Sequence, residues 1–182
     1  MKIMKKKSLI LSMLIGLFTA ISFAQDSEYF DDLADTKDYT AVELAKHESD
    51  FSIFLEFLEA SGLDTSVEYA DGFTIFMPTN EAFGEMEVEK LSKLTNPDNK
   101  MKLVEFVKHY IVPEKVLKNQ FNSSQVITVS EDESIKINTE MNGQSVDVGG
   151  ANIIESDIET KNGIVHVIDQ LITPTNYFAS SY

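Results

Sequence analysis

From residue 162 to 174 the chain reads Asn-Gly-Ile-Val-His-Val-Ile-Asp-Gln-Leu-Ile-Thr-Pro, apolar and β-branched for most of its length. A run this apolar predicts a strand buried on both faces. It opens on an Asn-Gly hairpin signal, and Pro174 stops it because proline cannot donate into a sheet ladder. Two other layers must cover it. Asp71-Gly72 predicts a turn into a second strand, Phe73 to Met77, ended by Pro78-Thr79-Asn80, where Thr79 or Asn80 caps a short helical turn over 81–83.

Helical spacing dominates the rest of the first half. Thr40-Ala41-Val42-Glu43 is a capping box for a helix to about His47, which stands isolated near the helix end, placed for a dipole contact. Phe51, Phe54, Leu55 and Leu58 fall on one face of a second helix, with Gly62 where a left-handed cap belongs. A short helix is expected over Val88 to Leu94. Asn96-Pro97-Asp98-Asn99 then starts another, to about Tyr110. Leu103, Val104, Val107, Tyr110 and Ile111 share its inner face, with Lys102, Glu105 and His109 opposite. Tyr110 is thus predicted in the core and His109 in solvent.

After Phe121 the period changes to that of strands. Four are expected, over 125–129, 134–138, 145–148 and 151–155, with turns at Asn142-Gly143 and Gly149-Gly150 and an acidic turn over 130–133. A last short segment, 157–160, precedes the Asn162-Gly163 turn. Helices, one strand, more helices, then many strands make an α+β pattern around one mixed core. No repeat or Pro/Gly-rich linker divides it.

The first 24 residues stand outside that pattern. Lys2, Lys5, Lys6 and Lys7 precede an apolar stretch from Leu9 to Phe18, too short to span a bilayer, and Ser22-Phe23-Ala24 is a small-x-small cleavage site. This is the pattern of a secretory signal peptide over 1–24; an uncleaved anchor is the alternative. Residues 25–39 are acidic and read as a flexible lead-in, 40–174 as the domain and 175–182 as a C-terminal tail. The lead-in lacks the acid spacing of an EF-hand loop.

Charge and composition narrow the function. Residues 1–24 carry four Lys and no acid, so the remaining chain has 11 Lys against 30 acids, a formal charge of −19. That argues against nucleic acid and against an anionic membrane surface. It serves solubility, or else attracts divalent cations or a cationic partner. There is no Arg to clamp a phosphate. Cys is absent, which excludes thiolate nucleophiles, thiolate metal sites and disulfides, so a secreted chain must stand on its core alone.

Candidate chemistry is sparse. The three His, at 47, 109 and 166, show no i, i+3 or i, i+4 pairing and no His-Glu-x-x-His. His166, mid-strand among apolar neighbours, is expected to be buried with its ring nitrogens satisfied. Asp169 lies three residues on, hence on the opposite face, so the two do not form a dyad. No Gly-x-Ser-x-Gly elbow is present. A carboxylate pair of the glycosidase kind stays open, since it needs only two acids within about 10 Å.

Residues 73–83, Phe-Thr-Ile-Phe-Met-Pro-Thr-Asn-Glu-Ala-Phe, and 163–169 through Pro174 resemble the two signatures of fasciclin-like domains. The motif positions are Thr74, Pro78, Thr79, Asn80 and Phe83 in the first, Gly163, His166, Asp169 and Pro174 in the second. The likeness runs from about Thr40 to Pro174. It implies a wedge-like mixed, twisted β-sheet or sandwich flanked by several short helices; with the bacterial-type signal pattern over 1–24, a single-domain member that is secreted or periplasmic after cleavage is expected. It also implies a non-enzymatic module, without cofactor or catalytic residues, for cell adhesion or extracellular-matrix contacts with protein or polysaccharide. A monomer is expected. A periplasmic or extracellular binding protein for a small ligand or divalent cation is the alternative. In some animal members a Tyr-His pair is implicated in receptor binding. Here the order is inverted, His109-Tyr110, with Glu114 in place of the following Gly; the pair is the candidate binding position, and an inward site that simply accepts Tyr is the competing reading.

Overall fold

The computed structural model describes residues 29–123, 125–128, 133–140 and 143–176. The expected signal peptide, the acidic turn up to residue 132, the Asn of the Asn142-Gly143 turn and the last six residues lie outside them. Six helices form the first layer: α1 (Ala41–His47), α2 (Ser52–Ser61), α3 (Asp64–Tyr69), α4 (Asn80–Gly84), α5 (Val88–Thr95) and α6 (Lys100–Lys108). Eight strands form the second: β1 (Phe73–Pro78), β2 (Ile111–Val112), β3 (Val126–Thr128), β4 (Glu133–Glu140), β5 (Ser145–Val148), β6 (Ala151–Glu159), β7 (Gly163–Ile168) and β8 (Thr175–Asn176). The arrangement is the expected α+β one.

The strands follow the order β2-β1-β7-β6-β5-β4-β3, with β8 pairing β4. Among the described residues only β1 and β7 run parallel, in register from Phe73 beside Gly163 to Pro78 beside Ile168. Both are buried at every position, as a parallel pair covered on two sides must be. Helices α1 and α4 pack against them, and α2 fills the space between α1 and α6. The aromatic core is continuous: Phe54 and Phe106 flank Tyr110 at 5.5 and 5.2 Å between centroids, and Phe57 meets Phe83 edge-on at 5.3 Å.

Local chemistry sets the helix ends as the residues predict. Thr40 Oγ1 accepts from the Glu43 amide while the Glu43 carboxylate accepts from the Thr40 amide, closing the capping box. Gly62 ends α2 at φ +80°, a conformation that costs little only without a Cβ. Thr79, not Asn80, caps α4, accepting from the Ala82 amide.

Five expectations change. The long strand stops at Ile168, not Pro174, because Asp169 bends away to bond Asn152. The last short segment 157–160 is no separate piece: β6 continues through it, with two register shifts opposite β7. The lead-in is docked over 29–39. Phe30, 3% exposed, stacks on Phe51 at 5.7 Å, and Thr36 Oγ1 donates to the Glu159 carbonyl; an acidic segment with three aromatics, Tyr29, Phe30 and Tyr39, has apolar surface to bury. The tail begins with β8, paired to β4 through Ser134 and Thr175. Finally, His109 is buried, at 7% exposure. The chain tightens there to i→i−3 bonds, His109 to Phe106 and Tyr110 to Val107, and a 3₁₀ pitch rotates the wheel inward.

Candidate functional site

The motif residues converge on the β1–β7 pair, and each can be followed to its partner. Thr74 is fully buried; its hydroxyl donates to the Glu114 carbonyl at 2.7 Å and accepts from the Val116 amide at 2.8 Å. His166 sits beside Phe76 in the next strand, stacked on that ring and edge-on to Phe121. Its Nδ1 accepts from the Asp157 amide at 3.1 Å, so Nε2 carries the proton and donates to the Val116 carbonyl at 2.9 Å. Asp157, at φ +62° in the irregular part of β6, owes its inward amide to that bulge. Its carboxylate in turn accepts from the Lys118 amide at 2.7 Å. Thr74, His166 and Asp157 therefore stitch one crossing segment, 114–118, to three strands.

The two ends of this pair are fastened separately. At the amino end, Asn162 donates to the carbonyls of Val67 and Glu68 and accepts from the Ala41 amide and the Thr160 hydroxyl. It joins α1, α3 and the β6–β7 turn. Gly163 is required by closeness: a Cβ there would lie 2.8 Å from the Phe73 carbonyl oxygen. The Asn-Gly signal thus marks the right turn for a different reason from the one expected of a hairpin. At the carboxyl end, Asp169 accepts from both the amide and the side chain of Asn152, and Asn80 reaches back to Ile53, Ser49 and Ser52 at the start of α2. Phe83 is buried on Phe57. Pro174 is half-buried one residue before β8.

His166 and Asp169 have different partners, the first within β7 and the second just past its end. Burial holds the imidazole of His166 below its ordinary pKa, the Val116 carbonyl only partly offsetting it. Tyr110 is fully enclosed and burial pushes its phenol up. With His109 nearly enclosed too, neither member of the candidate binding pair offers its side chain to a partner.

The accessible chemistry lies elsewhere. Where β1 and β7 end, Thr79, Glu81, Glu85 and Asp169 line an open cleft of about 420 Å³ with Tyr29 and Ile154. An apolar groove of about 250 Å³ lies where α2 meets the end of α5 and the start of α6, walled by Phe57, Leu94 and Leu103 with Lys100 at its edge. At the carboxyl end of α1, donor atoms of Asp32, His47 and Glu48 lie within 4.8 Å of one another. His47 is thus not isolated; Asp32 is 15 residues away in sequence, and only the docked lead-in brings it near.

Comparison with known proteins places these features. The sequence profile of the fasciclin domain matches residues 49–174. Protein sll1483 of Synechocystis is 32% identical over 135 residues, which span 74% of this chain and 73% of that protein. Human periostin is 28% identical over 134 residues and pig transforming growth factor-beta-induced protein ig-h3 is 32% identical over 116. The chain covers only 16% and 17% of those two proteins. Among solved structures, a FAS1 domain pair from the insect cell adhesion molecule fasciclin I superposes with a TM-score of 0.54 at 18% identity, over 75% of this chain and 51% of that one.

Proposed function

The chain belongs to the fasciclin domain family, and from that premise we propose that it is a secreted, non-enzymatic interaction module that attaches to a cell-surface or matrix component. The observation that supports this most is how the motif residues are spent. Thr74, Asn80, His166 and Asp169, and Asn162 just before the second motif, direct their polar atoms to the chain's own backbone and side chains. They hold the sheet and its flanking helices together, which leaves recognition to the surface. The insect relative of the same fold is described as a cell adhesion molecule.

The cleft at the carboxyl ends of β1 and β7 is the contact region we assign. Glu81, Glu85 and Asp169 give it negative charge beside the aromatic ring of Tyr29 and the exposed Ile154. Such a surface suits a cationic partner with some apolar area. Glu81 and Glu85 are exposed on its rim, so substituting them need not disturb the fold.

The test is solid-phase binding to cell-envelope and extracellular-polymer fractions, at low and high salt. Saturable binding that weakens in high salt and in a Glu81→Lys/Glu85→Lys variant is expected. Equal binding by that variant would move the contact elsewhere. Absence of saturable binding to any fraction would overturn the adhesion reading.

A further inference from the structure

We propose that Asp32, His47 and Glu48 form a binding site for a first-row divalent cation, with zinc the ion their donor set fits best. None of the three donors is among the residues that line the β1–β7 cleft, and either proposal can fail without the other.

The site is assembled by three local conformations. Phe30 is anchored in the core although its backbone is at φ +86°, a costly region for a bulky residue. The turn it makes is closed by the Leu33 amide on the Phe30 carbonyl at 3.0 Å, and it carries Asp32 to the end of α1. His47 is the last residue of α1 and its ring lies 6.2 Å from that of Tyr39. Glu48 follows in extended geometry, its carbonyl holding the Phe51 amide. The helix therefore ends by presenting an imidazole and a carboxylate side by side, and the turn supplies the second carboxylate.

The distances suit an ion. His47 Nε2 and Asp32 Oδ2 are 3.7 Å apart, beyond a hydrogen bond. Two ligands on a tetrahedral zinc, each about 2.0 Å from the metal, stand roughly 3.3 Å apart. The three donor atoms already lie within 4.8 Å of one another, so a bound ion has only to draw them together. One imidazole and two carboxylates are ligands that zinc accepts, leaving a fourth position for water. Calcium and magnesium prefer shells of oxygen alone, so the imidazole separates the classes. The side chains of His47 and Asp32 are 32% and 68% exposed, so an ion can reach them. Of the three His, 109 is nearly enclosed and 166 has both ring nitrogens engaged. The imidazole available to a metal is that of His47. Bound there, the ion clips the lead-in to α1 and so favours the docked form of 29–39.

Titration of the protein with zinc chloride, read by calorimetry and by the imidazole NMR signals, tests this. One equivalent should bind saturably, shift the His47 ring signals while leaving those of His109 and His166 in place, and raise Tm. Excess calcium should not displace it. His47→Ala and Asp32→Asn, both at exposed positions, should each weaken binding at least tenfold and abolish the rise in Tm while leaving the metal-free Tm nearly unchanged. Absence of one-site binding, unshifted His47 signals, or wild-type affinity in both variants would overturn the assignment.

Discussion

His166 and Val116 are 50 positions apart in sequence, yet the ring nitrogen of one donates to the carbonyl of the other at 2.9 Å inside the core. Opposite it, Nδ1 receives the Asp157 amide. A fully buried imidazole with both nitrogens used is a bridge between a strand, a bulge and a crossing segment.

Removing the bridge has a defined cost. His166→Ala leaves a carbonyl and an amide without partners and opens a void between Phe76 and Phe121. About 2–4 kcal/mol of stability should be lost. Urea denaturation checks this; an unchanged midpoint would show that the ring is not holding segment 114–118.

The same bridge makes stability depend on pH with a definite sign. The folded state holds His166 below the ordinary value of 6.5, so the unfolded chain binds its proton more readily. The contribution is complete above about pH 6.5 and is lost as pH falls through the lower, folded value, with a slope of at most about 1.4 kcal/mol per pH unit. The wild-type stability, minus that of His166→Gln, should fall on acidification below that point. A difference that rose on acidification would mean that the folded ring is protonated.

Asn162 should matter as much. It engages partners 95 and 121 positions away, at Val67 and Ala41, and is nearly enclosed. Asn162→Ala should cost about 2–3 kcal/mol and, in hydrogen exchange, loosen the start of α1 together with the end of α3. Loosening confined to the β6–β7 turn would show that its long-range bonds carry little.

His109 gives a sharper test of the helix end. A solvent-facing residue could be truncated freely. At 7% exposure, His109→Ala should lower stability by about 1–2 kcal/mol through lost packing. A melting temperature equal to that of the wild type would return His109 to the surface.

Much of this architecture is written locally. The capping box at Thr40, the left-handed cap at Gly62, the wholly buried strands at 73–77 and 163–168 and the inward side of Tyr110 depend on neighbours within a turn or two. Periodicity reports burial because a side chain's face follows from its position along one element. Phe57 and Phe106 were legible by the same rule but fall at the edge of the stripes traced from their neighbours.

Other features had no local signal. The Asp157 bulge, the choice of Val116 as partner for His166, the role of Asn162 and the meeting of Asp32 with His47 join residues far apart in sequence. The composition of a segment does not state which backbone group will arrive beside it; strand order and register decide that. Even the end of α6 escaped the helical wheel, since a tightened last turn changes the angle between residues. The family signatures, the apolar strands and most helix ends could be read along the chain, because they follow from short-range sterics and hydrophobic spacing. The tertiary structure alone decided which polar side chains are sealed inside and which converge at the surface, because that depends on elements meeting across the core.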